Sequence, residues 1–245
     1  MMDDYQPVGL LRGSLQIIGA ALAAVLVVAV ISAVSLLVRS DRVAVNQLDV
    51  SDSAQVSIVS STSDLKIIEG SSDRVVIRAK VTDGLKPTVY EIHRKNKDIT
   101  IVGRCARWLS PGCGVRATVA VPKGYPLEIR TSSADIRVDR MTDPGRVVTI
   151  RTGSGNVTGR HLQALEFAVA TDDGNVSASF SKQPSALKVR TISGDVTARI
   201  PNGEIKYLAK VHSDTGRVAS SLMNVDDGRG LISLLSTSGD ITVRR

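Results

Sequence analysis

With 245 residues the chain has room for one substantial domain and a membrane anchor. Phe, Trp and Tyr supply only 3% of it, which excludes a core built on rings and the aromatic platforms on which nucleic-acid bases stack. The formal charge of +7 directs attention to anionic partners instead.

Residues 1–14 are a short polar segment carrying Asp3, Asp4 and Arg12, expected to be cytoplasmic. Leu15 to Val38 then run for 24 residues without a charge. About 20 apolar residues cross a bilayer, whereas the apolar part of a cleaved signal peptide is about 7–15 long. The run over 15–38 therefore reads as an uncleaved, single-pass transmembrane helix. No cysteine lies near it to carry a lipid anchor. Arg12 on one side, with Arg39 and Arg42 on the other, mildly favours an internal C-terminus. Long domains cross largely regardless of charge, however. Cys105 and Cys113 also bracket a short segment, Ala-Arg-Trp-Leu-Ser-Pro-Gly, and a lone close pair suits a disulfide on an exported domain. The expected location is the cell membrane, with the C-terminal domain extracytoplasmic.

Residues 39–55 are polar and read as a connector. From Val56 the strands begin. Val56–Val59, Arg74–Val81, Thr88–His93, Asp98–Val102 and Val115–Val121 alternate or carry β-branched residues. Asp83-Gly84 is a turn signal. Residues 56–126 are expected to be an irregular β section that starts on one repeat-like strand and caps the end of the regular section beyond it. His161 to Glu166 has room for one helical turn at most.

Residues 127–245 are a repeat. Leu187-Lys-Val-Arg-Thr-Ile-Ser-Gly-Asp-Val196 recurs as Val148–Val157 and Phe167–Val176, and more weakly as Leu127–Ile136, Ala209–Val218 and Ile232–Ile241. Val56–Leu65 is a seventh copy far upstream. Leu187, Val189 and Thr191 point one way and Lys188 and Arg190 the other, the period of two of a half-buried strand. Val169, Ile150, Ile129 and Val211 fall on the same inward positions. Gly155, Gly174, Gly194, Gly216 and Gly239 then share a turn position, followed by Asn156, Asn175, Asp195, Arg217 and Asp240. Counting from Ala134, the turns are spaced by 21, 19, 20, 22 and 23 residues. A near-constant period of this size marks a solenoid, because a unit so short buries a core only against its neighbours. The expectation is an all-β stack, β-solenoid or β-helix-like, of about 20-residue coils. A propeller blade needs about 40 residues; a β-sandwich with regular hairpins is the rival.

Thr191-Ile-Ser-Gly-Asp-Val196, its copies, and the Val121-Pro-Lys-Gly124 run before them resemble the bacterial putative-adhesin family of β-strand-repeat, or toast-rack, domains. The resemblance covers roughly residues 45–245. It implies a β-solenoid-like fold and an envelope location, often behind a membrane helix. It also implies an adhesin role, or a place beside envelope-stress sensing membrane proteins. It carries no catalytic residues. Arg217, in the Asn/Asp position, and Ser213, in place of Thr, depart from the pattern and suggest a looser coil.

No catalytic, cofactor or metal site stands out, and the chain does not read as an enzyme. His93, His161 and His212 lie in separate contexts without triad or metal-ligand spacing. Asp135, Asp172, Asp173, Asp195 and Asp240 serve turns; calcium-binding β-rolls repeat at half this period. Asn156-Val-Thr158 and Asn175-Val-Ser177 match the glycosylation triplet only because the turn does. The most suggestive feature is a column of cations. One outward position carries Arg130, Arg151, Ala170, Arg190 and His212, and its neighbour carries Glu128, Thr149, Ala168, Lys188 and Lys210. Arg130, Arg151, Arg190, Lys188 and Lys210 are the candidate polyanion-binding residues, for anionic envelope polymer or lipid headgroups; nucleic acid is not expected. The chain thus reads as a membrane-anchored adhesive or structural ectodomain. The alternative is a sensory or regulatory ectodomain acting through a membrane protein partner.

Overall fold

The computed structural model describes residues 21–23, 25–30, 33–34, 40–50, 55–61, 64–95, 98–104 and 113–245. Of the Leu15–Val38 run, the described residues are helical and exposed, and the others lie outside the described residues. Among the described residues no helix is long and apolar enough to cross a membrane.

The rest is strand and turn. The N-terminal part holds β1 (Ser40–Asp49), β2 (Val56–Ser60), β3 (Asp64–Glu69), β4 (Arg74–Asp83), β5 (Val89–Lys95), β6 (Asp98–Arg104) and β7 (Gly114–Val121). The regular part begins with β8 (Leu127–Ser133), β9 (Asp135–Asp139), β10 (Val147–Ser154), β11 (Val157–Leu162), β12 (Glu166–Asp173) and β13 (Val176–Phe180). It continues with β14 (Ala186–Ser193), β15 (Val196–Arg199), β16 (Tyr207–Ser213), β17 (Val218–Ser220), β18 (Gly230–Ser238) and β19 (Ile241–Arg244). His161 to Glu166, which had room for one helical turn at most, forms none: β11 runs on through Leu162.

Each coil is a strand, a turn and a second strand, and gives one strand to each of two sheets. From β8 to β19 every pairing within a sheet is parallel and, apart from a one-residue shift of β11 against β13 between Gly159 and Leu162, in register with the repeat, for example Ile150↔Val169 and Val169↔Val189. Hairpins give antiparallel ladders, so the sandwich is excluded. The two sheets face each other across one core. Leu187, Val189, Val169, Ile150 and Ile129 are buried there as their alternation predicts, while Val211 is half-buried. The upstream copy also behaves as a coil: Val56 pairs with Leu127 and Leu65 with Ile136.

The order of coils in space is not the order in sequence. One sheet runs β1-β4-β7-β3-β9-β11-β13-β15-β19-β17 and the other β16-β18-β14-β12-β10-β8-β2-β6-β5. The β18/β19 coil therefore lies between β14/β15 and β16/β17. At the opposite end β2/β3 lies between β6/β7 and β8/β9. Composition explains the C-terminal exchange. In β18, Ile232 and Leu234 are fully buried, which needs a neighbour on both sides. β16 carries Lys210 and His212, side chains suited to an edge strand. Its open side is blunted: Asn224 Oδ1 accepts from the Ala209 amide at 2.8 Å, and the Val225 amide donates to the Tyr207 carbonyl at 3.0 Å.

The turn residues confirm this order atom by atom. Asp135 Oδ1 accepts from the Asn156 amide at 2.8 Å, Asn156 Oδ1 from Asn175 at 3.1 Å, and Asn175 Oδ1 from Asp195 at 2.8 Å. Asp195 Oδ1 accepts from Asp240, and Asp240 Oδ1 from Arg217, both at 2.8 Å. Among the described residues Arg217 is thus the last rung, with no further coil taking an acceptor from it. Its departure from Asn or Asp marks the end of the stack. The glycines beside this ladder are required by close approach. A Cβ on Gly174 would meet the Gly155 carbonyl oxygen, and one on Gly194 that of Gly174.

The segment 39–55, expected as a connector from its polarity, carries β1. That strand pairs antiparallel with β4, from Ser40↔Asp83 to Asp49↔Arg74. It is exposed along most of its length, so it lacks the apolar alternation by which strands are recognised. Main-chain bonding holds it. With β4 and β5 it extends the two sheets antiparallel beyond the β6/β7 coil.

Candidate functional site

The five candidate cations lie on the outer face of the sheet that contains β8, β10, β12, β14, β18 and β16. Registers place Arg130 beside Arg151, Arg151 beside Ala170, and Ala170 beside Arg190. The column then departs from the sequence reading. Arg190 pairs with Leu235, and only Leu235 with His212. Likewise Ser233 separates Lys188 from Lys210. The inserted coil thus interrupts both cation columns, and His212 pairs with Asp214 at 3.0 Å instead of extending one.

Carboxylates temper the face further. Glu128 Oε1 receives Arg130 at 2.8 Å and Arg151 at 2.7 Å. Lys188 reaches Glu166 at 2.8 Å. Arg190 and Lys210 have no such partner among the described residues. Exposed pairs of this kind are worth about 0–1 kcal/mol each, so an anionic ligand displaces them readily. Two depressions lie on the face. One, of about 460 Å³, is lined by Arg130, Arg151 and Arg190 together with Asp172. The other, of about 560 Å³, adjoins it through Arg151, Ala170 and Arg190 and reaches Leu208, Leu231 and Leu235. The outward leucines went unnoticed in the repeat. Their signal is the pair of apolar doublets Leu231-Ile232 and Leu234-Leu235, on either side of Ser233 in β18, where neighbouring strands alternate.

A second polar cluster is structural. Glu69 accepts from the Thr142 amide at 2.8 Å and hydroxyl at 2.5 Å, and from Lys123 at 3.2 Å. Burial pushes its pKa up, but the Thr142 bonds and the Lys123 ammonium outweigh that and hold it below the ordinary value. The Arg146 guanidinium is wholly buried and donates to the Pro122 carbonyl at 2.7 Å. Burial lowers its pKa, against the pull of the Asp143 and Glu69 carboxylates. The Gly124 amide donates to Asp143 at 2.9 Å. The cluster fastens the Val121–Gly124 run to the loop after β9.

Of the histidines, His93 pairs with Glu91 at 3.0 Å on β5, and His161 sits at a corner with φ of 51°. Among the described residues no three His, Cys, Asp or Glu side chains are grouped to hold a metal. Cys113 is buried and is not a free thiol. Cys105 lies outside the described residues.

Stacked coils in two parallel-rich sheets, closed along one side by a glycine and Asx turn ladder, define a class of all-β repeat domain. The chain matches the Toastrack DUF4097 family over residues 48–245 and belongs to it. Solved structures with this fold include a putative cell adhesion protein from Clostridium sporogenes ATCC 15579. It is 10% identical, with a TM-score of 0.51, over 84% of this chain and 99% of that one. A putative adhesin from Bacteroides fragilis NCTC 9343 is also 10% identical, with a TM-score of 0.52, over 84% and 98% of the two chains. At such identity the likeness is one of fold. No curated protein matches the chain.

Proposed function

We propose that the chain is a membrane-anchored, extracytoplasmic adhesin-like domain whose basic sheet face contacts anionic polymer of the cell envelope. The observation that carries this is the gathering of Arg130, Arg151, Lys188, Arg190 and Lys210 on one face, around two adjoining depressions. The adhesin names of proteins sharing the fold support it, and so does the uncharged run Leu15–Val38. Each contact is weak. A repeating ligand that engages several cations at once gains by effective concentration what single contacts lack. Coil stacking spaces the cations at multiples of roughly 4.8 Å, a pitch that suits an extended polymer better than a compact ion.

Cosedimentation tests this. The full chain in zwitterionic nanodiscs is mixed with purified anionic wall polymer at low salt. It should sediment, and it should release at about 0.5 M salt, where screening acts within roughly 5 Å. Reversal of Arg130, Arg151 and Arg190 to Glu should abolish sedimentation with the circular dichroism unchanged. If the reversed protein sediments like the parent, the face is an ordinary solvated surface.

A further inference from the structure

The arginine column is also broken at β12, where Ala170 stands in it and Ala168 takes the neighbouring outward position. Ala168 and Ala170 of β12 take the outward positions held by Thr149 and Arg151 on β10 and by Lys188 and Arg190 on β14. An alanine has no side chain beyond Cβ, so the face is notched there. Its walls are Arg151 on one side and Lys188 with Arg190 on the other, two strand spacings or roughly 10 Å apart. Past β14 the inserted coil sets Leu231 and Leu235 outward, and Leu208 of the edge strand is 42% exposed beside them. The resulting groove, of about 560 Å³, has a carbon floor and cations at its rim. It falls within the ~300–1,000 Å³ of small-molecule sites, which are mostly apolar with a few placed polar groups.

A polyanion alone makes no use of such a floor. A second copy of this chain would bring like charge against like, at +7 each. An amphiphile with an anionic head matches both halves. Its chain covers the alanines and leucines, and its head reaches the depression lined by Arg130, Arg151 and Arg190, tempered by Asp172. Guanidinium forks suit phosphate oxygens in particular. We propose that this groove binds one molecule of an anionic phospholipid, its hydrocarbon chain over Ala168, Ala170, Leu231 and Leu235 and its phosphate between Arg151 and Arg190. The assignment rests on the basic face being the contact surface proposed above, and adds to it an apolar half with its own ligand.

The probe is decyl phosphate carrying a diazirine near its alkyl end, photolysed with the full chain in zwitterionic nanodiscs. Labelled peptides are mapped by mass spectrometry. The label should concentrate in residues 166–173 and 230–238. Unlabelled decyl phosphate should compete, while inorganic phosphate and uncharged decyl maltoside at the same concentration should not. Competing alkyl phosphates should gain about two- to threefold in potency per added methylene, somewhat less than full burial gives. Ala168→Gln with Ala170→Gln fills the notch without changing charge. It should cut labelling at least fivefold and leave cosedimentation with wall polymer intact. Labelling equal to the parent, or spread evenly over the strands, overturns the lipid site. So does loss of both labelling and polymer binding in a folded Gln variant, which would assign the notch to polymer. Labelling that persists where the parent fails to bind polymer would sink the polymer reading and leave the lipid site standing.

Discussion

Replacing Gly174 by Ala probes the turn ladder at the middle of the stack. Gly174 has a φ of 149°, in the region that favours glycine, and its Cβ would press on the carbonyl oxygen of Gly155. Holding a non-glycine residue in such a conformation costs about 1–3 kcal/mol. The clash is with main chain, which no rotamer relieves. Relief requires the coils to part, stretching the Gly155 amide bond to the Asp173 carbonyl (3.0 Å) and that of Val157 to Asn175 (2.9 Å). Two weakened bonds add about 1–2 kcal/mol, giving about 4 kcal/mol in all. For a domain of this size that lowers Tm by about 10 °C. The comparison is Gly216→Ala in the β16/β17 coil. Gly216 is not among the positive-φ residues, although its Cβ would meet the Gly239 carbonyl. That coil has a neighbour on one side only and can tilt away, so less than half the loss is expected. Thermal denaturation of a fragment spanning residues 40–245, followed by circular dichroism, measures both. The reasoning fails if Gly174→Ala melts within about 2 °C of the parent, or if Gly216→Ala costs as much.

Removing residues 230–245 should do more than trim an end. It takes away Ile232, Leu234, Ile241 and Val243, all buried, each worth about 1.5–3 kcal/mol; hydrogen exchange should show residues 207–220 unprotected, and protected amides there would contradict the coil order. Glu69 has a folded pKa held below its ordinary 4.5, so its contribution is complete above the unfolded pKa and fades as pH falls through the lower folded value. Glu69→Gln should therefore be less stable than the parent near neutral pH, with the gap closing in acid; a gap constant from pH 7 to 3 would refute this. Glu128→Gln releases Arg130 and Arg151 from their shared carboxylate and should strengthen polymer cosedimentation, so unchanged binding would mean those arginines do not contribute. Digestion without reductant of protein from its native envelope should yield linked peptides containing Cys105 and Cys113, whereas two free thiols would count against export as well as the bridge.

Local rules carried much of this fold. The alternation through Leu187 and Val189, and the glycine period from Gly155 to Gly239, stood in the sequence because each reflects a constraint within one coil. Coil order did not, because a glycine turn looks the same whichever coil lies beside it. Two traces were present: Arg217 at an Asx position, and the double-sided apolar doublets of β18. The first suggested only a loose coil, although it is the residue whose amide ends the ladder. The candidate cations were legible by position. Their pairing with Glu128 and Glu166 was less so, and the gaps opened by Leu235 and Ser233 not at all, because these depend on which strands become neighbours. β1 escaped notice for a related reason: an exposed edge strand held by main-chain bonds needs no apolar pattern.

The exchange of coils at both ends has a consequence for synthesis. A chain emerging from the ribosome can add β10/β11, β12/β13 and β14/β15 one upon another as each appears. β16/β17 has no place to dock when it emerges, because its seat is the flank of a coil not yet made. Until residues 230–244 follow, it waits unpaired, with Tyr207 and Val211 uncovered and the β14 edge open. Growth by simple addition stops short at residue 199. The last step is a joint closure of two coils, and a ribosome stalled within that interval holds a strand edge ready to pair with the wrong chain.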